Sequence, residues 1–67
     1  MTYIEFRDAV CGELGRRKNG LTWRELRERL DLPYERPCPT WVRRLEVESG
    51  LTREPGPGRA YVWSLGA

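Results

Sequence analysis

The motif Thr-x-x-Glu occurs twice, at Thr2–Glu5 and Thr22–Glu25, each time directly ahead of apolar residues at helical spacing. It is the signature of a capping box. The Thr hydroxyl accepts from the backbone N–H three residues on, and the Glu carboxylate accepts from the N–H of the Thr. Two helix starts are thereby fixed. Behind the first, Tyr3, Phe6, Val10 and Leu14 form one stripe, flanked by Ile4 and Cys11. Met1 is placed to staple onto Phe6. Arg16, Arg17 and Lys18 suit the negative end of the helix dipole, and Asn19-Gly20 offers a stop with access to positive φ. A first helix is expected over about residues 2–18. Gly12 and Gly15 each weaken it by about 1 kcal/mol; they mark either close helix contact or an earlier end. A second helix is expected over about 22–31, with Leu21 stapled onto Leu26 and with Trp23, Leu26 and Leu30 on its apolar face. Pro33 restricts the residue before it and closes that helix.

Three prolines then stiffen the connector Pro33-Tyr-Glu-Arg-Pro-Cys-Pro39. A third helix is expected over about 39–49, with Pro39 at its first position and Gly50 just past its end. On a helical wheel Cys38, Val42, Leu45 and Ser49 share one face, with Trp41 at its edge, while Thr40, Arg43, Arg44 and Val47 share the opposite face. Leu51-Thr52-Arg53-Glu54 reads as a strand, Pro55-Gly56-Pro57-Gly58 as a type II turn, and Arg59 to Leu65 as a returning strand. In that strand Tyr61, Trp63 and Leu65 alternate onto one face. The fold class is α+β: three helices followed by a C-terminal hairpin over about 51–65, in one domain of 67 residues. Phe6, Val10, Leu14, Leu26, Leu30, Val42, Leu45 and Trp63 are the expected core.

So short a chain buries only about 60% of its unfolded surface, which leaves little room for a deep substrate cleft. No apolar run reaches the ~18 residues of a membrane span. The first residues have neither a basic n-region nor an apolar h-region, so a secretory signal is not expected. Cys11 and Cys38 are too few for a disulfide framework and are expected to be free thiols in a reducing, cytoplasmic setting. There is no His. Nothing activates a cysteine nucleophile, and no zinc spacing is present. The carboxylates are spread among basic partners without an inward-facing pair, and Pro-Gly-Pro-Gly lacks the following helix that a phosphate loop needs. The reading is therefore not an enzyme, with no cofactor, metal or small-molecule substrate implied. The net charge of +2 does not by itself announce nucleic acid, although eleven of the twelve basic residues are Arg, the residue suited to bidentate phosphate and base contacts.

The order of elements resembles the winged helix-turn-helix fold over nearly the whole chain. The stretches that carry the resemblance are Leu21-Thr22-Trp23-Arg24-Glu25-Leu26, Trp41-Val42-Arg43-Arg44-Leu45-Glu46, Gly50-Leu51-Thr52-Arg53 and Gly58-Arg59-Ala60-Tyr61-Val62-Trp63. The resemblance implies that Gly20-Leu21 pairs as a short third strand against the hairpin. It also implies a third helix in the major groove of double-stranded DNA and a hairpin, the wing, on the backbone. The implied role is that of a bacterial or phage transcription or recombination accessory factor. The connector from Asp31 to Pro39 is longer than the turn of the strict motif.

The candidate DNA-binding residues are Thr40, Arg43, Arg44 and Val47 on the third helix, Arg53 and Arg59 beside the turn, and Arg36 on the connector. A helix in the major groove uses a short polar residue, guanidinium forks for guanine or phosphate, and an apolar group for a thymine methyl. The plainer reading of the same face is a solvated surface, whose positive field Glu46 and Glu48 dilute. Arg53 and Arg59 equally suit protection of a sheet edge, and Arg36 an ordinary loop charge. Trp23 and Trp63 lie on apolar stripes and read as core; Trp41 and Tyr34 do not lie squarely on one. The alternative from another class is a winged-helix module that binds a protein partner or a second copy of the chain, because a fold does not fix a function. RNA binding stays open.

Overall fold

The computed structural model describes residues 1–56, 58 and 60–65. Its elements run α1 (Tyr3–Gly15), β1 (Leu21–Thr22), α2 (Trp23–Leu30), α3 (Pro39–Ser49), β2 (Leu51–Pro55) and β3 (Tyr61–Leu65). Both capping boxes form in full. The Thr2 and Thr22 hydroxyls accept from the N–H groups of Glu5 and Glu25, whose carboxylates accept from the threonine N–H groups. Those last two hydrogen bonds are also the main reason that both glutamates titrate below the ordinary value.

α1 is shorter than its sequence suggests. It ends at Gly15, where the N–H groups of Arg16 and Arg17 bond to the carbonyls of Glu13 and Leu14 in a tightened last turn. A Cβ on Gly12 or Gly15 would meet nothing within 4 Å, so neither glycine marks close helix contact; they lower helix propensity where the helix gives out. Arg16, Arg17 and Lys18 therefore lie past the helix and do not sit in its last turn. Arg17 folds back onto Glu13, which Arg29 of α2 also approaches, at 3.5 and 3.7 Å. α2 ends before Pro33 acts. Asp31 takes the left-handed conformation at φ 52°, and the N–H of Leu32 reaches the carbonyl of Arg27. Gly50 closes α3 in the same conformation, at φ 69°.

The sheet is antiparallel with order β1-β3-β2. The short third strand is present one residue later than expected, at Leu21–Thr22, paired with Trp63 and Val62. Gly20 is excluded from it by a left-handed φ of 77°. The hairpin strands pair from Leu51↔Leu65 to Pro55↔Tyr61, and the N–H of Gly56 closes the loop on the carbonyl of Ala60. The type II assignment of the turn falls partly on Pro57, outside the described residues, as does the contribution of Arg59.

One core joins the helices to the sheet. Tyr3, Phe6, Val10, Leu14, Leu21, Leu26, Leu32, Val42, Leu45, Leu51 and Trp63 are buried. Leu30, expected among them, is only partly buried and packs at the margin. Ile4 is exposed and does not widen the α1 stripe, whereas Cys11 packs against the core. Cys38 is exposed rather than inside with Val42 and Leu45, because it is the N-cap of α3. Both cysteines are free. Trp41 and Tyr34 belong with the core aromatics: Trp41 lies 5.1 Å from the Phe6 ring and 5.8 Å from those of Tyr3 and Tyr34. The long connector is thus held, with Leu32 buried and the Trp23 indole N–H donating to the carbonyl of Glu35 at 3.0 Å. No helix is long and apolar enough to cross a membrane among the described residues.

Candidate nucleic-acid interface

Burial of Val42 and Leu45 fixes the rotation of α3. The opposite side, with Thr40, Arg43, Arg44 and Val47, is exposed, as the wheel requires. Val47 is 85% exposed, the most open large apolar side chain described. Cys38 gives the helix no side-chain cap, unlike Thr2 and Thr22.

The two arginines of this face part company. The Arg44 guanidinium lies 4.0 Å over the Tyr3 ring, and its Nε donates to Glu48 Oε2 at 3.2 Å. The Tyr3 hydroxyl donates to the other oxygen of Glu48 at 3.1 Å, and Arg7 comes within 3.8 Å of it. Burial, followed by this hydrogen bond, raises the Tyr3 hydroxyl above its ordinary value. Glu48 is therefore the hub of a latch between α1 and α3. Arg44 belongs to that latch while its side chain stays exposed and outside the core.

Arg43 turns the other way. It lines an open cleft of about 340 Å³ with Pro37, Pro39, Val42, Glu46 and Arg53. Arg53 reaches this cleft because it pairs with Trp63 and so lies on the helix-facing side of the sheet. Its guanidinium sits 5.8 Å from the Trp63 ring centroid. Arg53 thus lies on the α3 side of the hairpin and lines the cleft while staying exposed. Among the described residues, neither Arg43, Arg53 nor Arg36 has a carboxylate within 4.0 Å. Arg36 is exposed on the connector but does not line the cleft.

Of the cleft residues, sequence reasoning singles out Arg43 and Arg53 as site residues. Glu46 reads there as a diluting charge, Pro37 as a stiffener, Pro39 as a stiffener and the first residue of the third helix, and Val42 as core. The alternation of β2 carried a signal for Arg53, since Leu51 and Arg53 share a face and Leu51 is apolar. Tyr61, 53% exposed near the hairpin loop, is the one aromatic of the hairpin left open to a partner. Among the described residues, no group of three or more His, Cys, Asp or Glu side chains could hold a metal ion. Comparison with known proteins returns no match: neither a protein-family model, nor a curated protein, nor a solved structure matches the chain.

Proposed function

We propose that the chain is a winged-helix domain that binds double-stranded DNA by occupancy, without chemistry, with α3 in the major groove and the hairpin against the backbone. The element order and the pairing of β1 with the hairpin support the winged-helix reading. The observation that carries the DNA reading is the convergence of Arg43 and Arg53, from two separate elements, on one open cleft with no ion-pair partner within 4.0 Å among the described residues. Two guanidiniums that line one cleft without an ion-pair partner favour acceptors there, a phosphate oxygen or a guanine edge. Beside them, Thr40 and Val47 offer a hydroxyl and a methyl surface of the kinds that base edges accept. A protein partner is the second reading, and the exposure of Val47 favours it, since an open apolar residue on a helix face can anchor in a partner's pocket.

Fluorescence anisotropy with labelled duplex over a salt series tests the first reading. With Arg36, Arg53 and Arg59 on phosphates and Arg43 on a base edge, the log–log slope is about −3, from roughly −0.9 per phosphate contact. Arg53→Ala reduces the slope by about 1, and Arg43→Ala weakens binding by about 1–3 kcal/mol with little change of slope. Binding that ignores both substitutions contradicts this surface.

A further inference from the structure

Glu46 is an anomaly in a face that binds an anion. Glu48, two residues on, is paired with Arg44 and Arg7 and accepts from the Tyr3 hydroxyl. Glu46 has no such partner: among the described residues no cation lies within 4.0 Å of it, although it lines the same cleft as Arg43 and Arg53. A free carboxylate there repels every phosphate that the arginines attract. It gains only where a base edge offers a donor.

Arg43 and Glu46 lie one turn apart on the same side of α3, separated along the axis by about 4.5 Å. That is comparable to the rise of about 3.4 Å between bases of one strand. Arginine pairs with guanine O6 and N7, and glutamate accepts from the exocyclic amino group of cytosine. Building on the DNA reading above, we infer that Glu46 is a specificity-determining residue, which accepts from the N4 amino group of a cytosine next to the base that Arg43 reads. An A·T pair also offers an amino donor, adenine N6, but beside the N7 acceptor, which repels a carboxylate; cytosine N4 has no acceptor next to it in the groove. The face therefore favours a step containing guanine and cytosine over runs of A·T pairs.

The test is selection from a pool of random duplexes with the full chain, followed by anisotropy on a selected duplex and on an A·T-only duplex. The parent enriches cytosine at one fixed position beside a guanine. Glu46→Gln loses that enrichment, binds the A·T-only duplex more tightly than the parent, and narrows the gap between the two duplexes roughly tenfold. Glu46→Asp keeps the charge but shortens the reach, so it loses the enrichment without tighter A·T binding. Glu46 is exposed, and circular dichroism checks that each variant folds. Unchanged cytosine enrichment in Glu46→Gln overturns the inference and leaves the DNA reading standing. A parent that binds no duplex overturns both.

Discussion

Arg43 and Arg44 are adjacent in sequence and end in different surroundings, which separates binding from stability at single residues. Arg44 rests on Tyr3 and bonds to Glu48. Arg44→Ala is expected to lower stability by about 0.5–1 kcal/mol, the worth of an exposed cation–π contact. Arg43→Ala touches no such partner and leaves the melting temperature unchanged. Thermal melts of the two variants check this. Tyr3 adds an alkaline limb. Its hydroxyl titrates above the ordinary value in the fold, so its contribution is complete below the ordinary tyrosine range and is lost as pH rises through the raised value. Melting temperature above that range falls less steeply in Tyr3→Phe than in the parent. The outward placement of Thr40, Arg43, Arg44 and Val47 was legible from a helical wheel. The capture of Arg44 was not, because its partner ring belongs to α1, far off in the chain, and no local pattern encodes that contact.

Elements were legible where their signals are local. Both capping boxes, Pro39 at the start of α3 and Gly50 at its end stand where the sequence put them. Thr22→Ala removes one cap and is expected to cost about 1 kcal/mol by urea denaturation. The boxes also set an acid limb. Glu5 and Glu25 titrate below their ordinary values, so their stabilisation is complete above the ordinary glutamate range and disappears as pH falls through the lowered values. The acid limb of the melting curve is shallower in Glu25→Gln. Element ends were less legible. The end of α1 depended on the competition between weak helix propensity at Gly15 and the pull of Glu13 on Arg17. The start of β1 depended on Gly20, where an added Cβ would fall 2.5 Å from the Trp63 carbonyl oxygen. Gly20→Ala is therefore expected to unpair β1 from β3 and to destabilise more than the Thr22→Ala cap loss, read by hydrogen exchange at Leu21 and Trp63.

At the scale of the molecule, the core and the cleft have one origin. Val42 and Leu45 of α3 pack inward, and the same rotation turns Arg43 and Glu46 toward β2. Leu45 is wholly buried, and Leu45→Ala is expected to cost about 2–5 kcal/mol, a large share of a small domain's stability. The core was largely legible from its stripes; Tyr34 and Leu32 were not, because an irregular connector has no period, and Trp41 was not, because it lies at the edge of the α3 stripe. The cleft was legible as separate arginines but not as a site, because only the register of the hairpin brings Arg53 to Arg43. The proposal that this face grips DNA is tested most directly by NMR titration of the labelled chain with mixed-sequence duplex. Shift changes concentrated on Thr40, Arg43, Glu46, Val47 and Arg53 are the expected result. Shifts confined to α1, or none at saturating duplex, would contradict it.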